Sequence, residues 1–173
     1  MLSIEACPLP EDALLRRYLE EGAYTDCYVT EIQASVSHAS YVMAFYTSYV
    51  FRLERHILKW LVSRPSTDAQ AKQLANGTID KFAAWRVEER SENQLLMCDF
   101  RSRTCSWLMV SPVEHNGNAS TRLYFGSAIV PVRDPGTGKM TLGFWFHALL
   151  GFHKIYSRVL LQAAKKRMNT IAA

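Results

Sequence analysis

Residues 94–132 read QLLMCDFRSRTCSWLMVSPVEHNGNASTRLYFGSAIVPV, and this run decides the fold class. Gln94 to Phe100, Thr104 to Val113 and Ser120 to Val132 are rich in apolar, β-branched and aromatic residues, as strands are. Just upstream, Phe82 to Glu89 has the same character. The connections Ser91-Glu92-Asn93, Arg101-Ser102-Arg103 and His115-Asn116-Gly117-Asn118 are short and turn-forming. Connections this short join antiparallel neighbours, because parallel strands need a crossover of a dozen residues or more. Cys105, Trp107 and Met109 alternate with Ser106, Leu108 and Val110. Leu123, Phe125 and Ile129 alternate with Arg122, Tyr124 and Val130. Both sets contain apolar side chains, so the meander is expected to be covered in part on both faces.

After the meander, residues 141–168 change to a helical period. His147, Gly151, Lys154, Arg158, Gln162 and Lys165 form one polar stripe, and Trp145, Leu149, Phe152, Tyr156, Leu160 and Ala163 lie opposite. This amphipathic helix needs an apolar surface, and the sheet is the nearest one. Between the two, Asp134-Pro135-Gly136-Thr137-Gly138-Lys139 reads as a turn. A phosphate loop would need Gly at Arg133 and Ser or Thr at Met140.

Before the meander, Glu11 to Leu19 has acidic residues in its first turn and Gly22 beyond its end, the signals of a short helix. Tyr24 to Ile32 reads as a strand. Ser35 or Ser37 can cap a long helical region that ends near Pro65, with a possible bend at Thr47-Ser48. Its stripe is Val42, Tyr46, Tyr49, Leu53, Ile57 and Trp60. Thr67 to Ala75 is a short helix stopped at Asn76-Gly77. The whole reads as α+β: a curved antiparallel sheet wrapped around a long C-terminal helix. One domain over 1–173 is expected, with a helical extension at 1–22 and the C-terminal helix at 141–168.

Composition agrees. The chain has 173 residues, 49% hydrophobic and 21% charged, enough for one buried core and too apolar for disorder. A net charge of +4 is too mild to indicate nucleic acid. Met1 to Cys7 lacks the basic and apolar regions of a secretory leader, so a cytoplasmic location is expected. The apolar stretch from Leu142 to Phe152 is too short to span a bilayer. The cysteines, Cys7, Cys27, Cys98 and Cys105, include no C-x-x-C pair. Cys98 and Cys105 can meet across a hairpin, but reduced thiols are expected in the cytoplasm.

Four segments carry a family resemblance: Asp80–Glu88 (DKFAAWRVE), Ser106–Leu108 (SWL), Ser120–Phe125 (STRLYF) and Phe152–Leu161 (FHKIYSRVLL). In them the chain resembles the START-like (SRPBCC) helix-grip superfamily. More narrowly, it resembles a bacterial family of domains of unknown function that also occurs fused behind NAD(P)-binding Rossmann domains. The resemblance covers roughly the C-terminal half and rests on packing motifs. It implies an internal apolar pocket but no fixed reaction, since fold does not settle function.

Candidate ligand-binding residues are therefore those expected between sheet and helix: Trp85, Met97, Trp107, Met109, Phe125, Trp145, Leu149, Phe152, His153 and Tyr156. Aromatic walls with few polar groups suit a small apolar or amphipathic ligand. Arg122, inside a strand, can bind a carboxylate or phosphate if it points inward. His153 and Tyr156, three apart on a helix, are the candidate acid–base pair. No histidine spacing suits a metal, and no cofactor motif is present. Three functions stay open: a ligand-binding module, an enzyme of cyclase, isomerase or hydrolase type using His153 and Tyr156, and an interaction module for itself or for a Rossmann-type oxidoreductase.

Overall fold

Antiparallel pairing joins every strand of the main sheet. A computed structural model describes residues 4–53, 66–115, 117–133, 136, 138, 140–142 and 144–172. The elements are β1 (Glu5–Ala6), α1 (Arg16–Glu20), β2 (Tyr24–Ile32), α2 (His38–Tyr46) and α3 (Asp68–Ala75). There follow β3 (Lys81–Phe82), β4 (Trp85–Arg90), β5 (Gln94–Asp99), β6 (Thr104–His115), β7 (Asn118–Ile129), β8 (Val132–Arg133), β9 (Met140–Thr141) and α4 (Phe144–Ala172). The chain is α+β. Its main sheet has seven strands in the order β1-β2-β7-β6-β5-β4-β3. The expected meander is β4 to β7. The strand expected from Phe82 is split by a turn at Ala83, whose φ is +52°. β8 and β9 pair separately as a two-stranded ribbon.

Strand β2 closes on β7, with Tyr24 opposite Ile129 and Ile32 opposite Thr121. This pairing brings residues about a hundred positions apart onto one surface. Helices cover that surface. Tyr28, Leu95, Met97, Leu108, Leu123 and Phe125 pack there against Tyr41, Phe45 and Tyr46 of α2 and Leu160 and Leu161 of α4.

The opposite face is covered by the N-terminal segment. Leu15 and Tyr18 lie there over Cys27, Leu96, Trp107 and Met109. The buried Gln94 side chain fixes this cover. Its Oε1 accepts from Leu14 N–H at 2.9 Å and from Trp107 Nε1–H at 2.8 Å, and its Nε2 donates to Asp12 O at 2.9 Å. Gly126 makes room for it: a Cβ there would sit 2.9 Å from Leu15 Cδ2 and 3.0 Å from Trp107 Cε3. The helix expected over 11–19 is shortened to α1, with turns before it.

Helix ends follow their caps. Ser37 Oγ accepts from Ser40 N–H at the start of α2. Thr67 and Gln70 form a reciprocal capping box at α3. The long helical region is broken at Thr47-Ser48, where Thr47 Oγ1 donates to Met43 O at 2.7 Å. The break ends the expected stripe. Val42 and Tyr46 are buried, whereas Tyr49 and Leu53 are exposed. Ile57 and Trp60 lie outside the described residues.

Helix α4 corrects the expected apolar arc. Ser157, Leu160, Leu161, Ala163, Ala164 and Met168 are buried, while Phe152, Ile155 and Val159 are exposed. At ~100° per residue the buried arc is turned by roughly 80–90° from the one read in the sequence. Small residues at 157, 163 and 164 let the helix approach its neighbours closely. The turn carries His153 from the flank of the arc toward its centre.

Cys98 and Cys105, opposite each other on β5 and β6, are joined by a disulfide. This corrects the expectation of reduced thiols there. Cys7 and Cys27 are free. No described helix is long and apolar enough to cross a membrane.

Candidate functional site

A partly open cavity of about 210 Å³ lies between the helix-covered face of the sheet and α4. Phe45, Phe51, Trp85, Phe125 and Leu160 form its apolar wall. Thr104, Ser106, Ser127, His153, Tyr156 and Ser157 supply its polar groups. Phe45 and Phe125 rings meet with centroids 5.1 Å apart, so the wall is continuous with the core. Trp85 keeps its buried indole N–H without an acceptor. A broader and more open groove, about 510 Å³, runs beside Pro112 and Ser120 at the far end of the β6–β7 hairpin. It is more open, and its lining, Glu114 included, brings no aromatic wall, so the smaller cavity is the better candidate site.

Behind the polar end lies a three-residue cluster. Ser127 Oγ donates to Asp26 Oδ1 at 2.6 Å and contacts His153 Nε2 at 2.8 Å. His153 Nε2 also stands 3.3 Å from Asp26 Oδ2. Asp26 on β2 and Ser127 on β7 are opposed in register, and α4 lowers His153 onto both. Proton accounting settles the tautomer. A hydroxyl has one proton, and Ser127 gives its proton to the carboxylate. The bond to His153 is therefore donated by Nε2–H. Ser127 Oγ keeps one lone pair for a ligand.

Asp26 shapes its neighbours. Burial, then the Asp26 charge, raises the Tyr24 hydroxyl above the ordinary tyrosine range. The same causes push Tyr28 up to about 12. Tyr24 also meets the His153 ring edge-on at 6.3 Å. Both tyrosines remain neutral hydroxyls at neutral pH.

The composition Ser, His, Asp suggests acyl-transfer machinery, but the geometry differs. In a nucleophilic triad the serine donates to one ring nitrogen while the aspartate holds the other. Here both residues face Nε2, and the serine proton is committed to Asp26. The cluster is built to hold a fixed polar surface.

Several expected site residues are placed elsewhere. Trp107 and Met109 lie on the opposite face under the N-terminal cover, because the parity of β6 sends odd positions away from α4. Arg122 is on that face too, partly exposed, 3.7 Å from Glu31. Met97 is buried in the core, where its Sδ accepts from Tyr46 O–H at 3.1 Å. Phe152 is 66% exposed and stacks on Tyr156 with centroids 5.9 Å apart. The side chains of Trp145 and Leu149 lie outside the described residues. Trp85, Phe125, His153 and Tyr156 do line the cavity.

Among the described residues, Glu88, Cys98 and Cys105 bring ligand-type atoms within 4.8 Å of one another. The disulfide consumes both thiolates, and the residues as bonded do not fit a metal ion. Comparison with protein-family models finds no match, and comparison with curated proteins finds none either. The site is therefore read from its own chemistry. Asp26 and Ser127 were missed in the sequence. Alternation placed neither on a known face, and only β2–β7 pairing joins them.

Proposed function

We propose that this protein binds a small amphipathic molecule in the cavity between sheet and α4. The observation that carries the reading is one cavity with an aromatic wall and a fixed polar end, Ser127 and His153 backed by buried Asp26. A volume near 210 Å³ suits a one- or two-ring compound, since an apolar cavity of about 150 Å³ already holds benzene. The lone pair on Ser127 calls for a ligand hydroxyl or amine. The Trp85 indole N–H can serve an acceptor elsewhere on the ligand. The placement of Ser127 and Asp26 on one ring nitrogen favours binding over acyl-transfer catalysis. In this reading the chain is a START-like, helix-grip domain, supported by the seven-strand antiparallel sheet and the long terminal helix beside it.

Calorimetric titration with 2-naphthol tests it. Saturable binding is expected. Ser106→Phe should fill the cavity and abolish binding. Ser127→Ala should weaken binding by about tenfold, the worth of one hydrogen bond. Absence of saturable binding, or indifference to Ser106→Phe, overturns the reading.

A second reading, an interaction module for a second copy or for an oxidoreductase, is favoured by the exposed stripe Phe152, Ile155 and Val159 on α4. Lys154 and Arg158 flank it, and no acidic residue occurs in 144–172. Self-association across this helix would set like charges together. A dimer should therefore tighten as salt rises. Sedimentation velocity at two salt concentrations checks this, with Ile155→Glu expected to leave only monomer. A wild-type monomer at every concentration dismisses the self-association arm.

A further inference from the structure

All four cysteines stand in two cross-strand pairs on the face covered by the N-terminal segment. Cys98 and Cys105 are opposed across β5 and β6 and are already bridged. The pairing of β1 with β2 runs Glu5 opposite Val29 and Ala6 opposite Tyr28. One further step sets Cys7 opposite Cys27, and Cys7 N–H donates to Cys27 O at 3.0 Å. Their Sγ atoms are 3.4 Å apart. A disulfide of about 2.05 Å is reached by side-chain rotation over a little more than 1 Å.

We propose that Cys7 and Cys27 form a redox-active dithiol that closes by exchange with a low-molecular-weight disulfide and clamps the N-terminal cover onto β2. The two thiols have unequal access. Cys7 is half-buried and can meet a reagent, whereas Cys27 is buried. The hydrogen bond between the two sulfurs holds the Cys7 thiol below the usual range, against a smaller opposing effect of burial. That same bond, then burial, holds Cys27 well above it. Cys7 is thus the attacking sulfur and Cys27 the resolving one.

The exchange balances. The Cys7 thiolate attacks one sulfur of R–S–S–R, forming a mixed disulfide and releasing R–S⁻. Cys27 then displaces the second R–S⁻ as the Cys7–Cys27 bond forms, and its proton goes to a released thiolate. The protein loses two electrons and the reagent gains them, yielding one R–SH and one R–S⁻, which takes up the proton that Cys7 had given to solvent. The closed ring contains α1 and the Asp12–Leu15 segment held by Gln94, so the whole cover is tied at both ends.

The test uses the full chain and oxidised glutathione, followed by acid quench, alkylation and peptide mapping without reduction. A Cys7–Cys27 crosslinked peptide is expected, with the Cys98–Cys105 peptide unchanged. Cys27→Ser should trap one glutathione on Cys7. Amide hydrogen exchange in residues 4–23 should slow at least tenfold on oxidation. Full alkylation of Cys7 and Cys27 in the treated wild type overturns the proposal. So does a crosslink from either one to Cys98 or Cys105, or a Cys27→Ser protein that gains no adduct.

Discussion

Replacing Trp107 by alanine is expected to cost about 3–5 kcal/mol of stability while leaving 2-naphthol binding unchanged. The ring is fully buried beneath the N-terminal segment, so its removal leaves a large void. Its Nε1–H is one of two donors to Gln94 Oε1, and the loss also loosens the hold on Leu14. Yet the cavity lies on the other side of the sheet. Urea denaturation with the binding titration separates the two effects. A cost under about 1 kcal/mol, or lost binding in a protein of undiminished stability, would place Trp107 in the ligand site instead.

The second large effect is a pH dependence centred on His38. This first residue of α2 is only 8% exposed, and its Nε2 has no hydrogen-bond partner. Burial holds its ionisation down at about 4, with nearby Arg90 adding to the shift and a hydrogen bond to the Leu108 backbone opposing it. In the unfolded chain the group titrates near 6.5. Between those values the unfolded state binds the extra proton, so falling pH favours unfolding. The His38 contribution is intact above about pH 6.5 and is lost progressively toward pH 4. By then the loss amounts to about 3 kcal/mol. The stability difference between wild type and His38→Gln should therefore shrink or reverse as the pH is lowered across that window. Urea midpoints that move in parallel for the two proteins would refute the assignment.

Much of the fold was legible, and the reason is local. Short turns between β-rich runs force antiparallel neighbours, and Tyr24–Ile32 announced its strand by composition alone. Alternation also showed that both sheet faces would be covered. It did not show which cover went where. Trp107 and Phe125 have equally good claims to a cavity until the N-terminal segment is known to occupy one side. The site was less legible because it depends on long-range pairing. His153 was found by its helical neighbourhood, but Asp26 and Ser127 meet only when β2 closes on β7. The exposed Phe152 shows the limit of helical periodicity: a stripe identifies an apolar arc, while contacts with α2 as well as the sheet set its rotation. The free cysteine pair was hidden for a related reason, since positions 7 and 27 face each other only across β1 and β2.

The one amide of Gln94 binds Asp12, Leu14 and Trp107, so the segment from Asp12 to Ala23 and the centre of the sheet open together. When they open, Leu96, Trp107, Met109 and Ala128 become a bare apolar sheet surface. Such a surface invites intermolecular aggregation. The N-terminal segment is thus an intramolecular guard: trimming it would turn a covered face into a nucleus for precipitation.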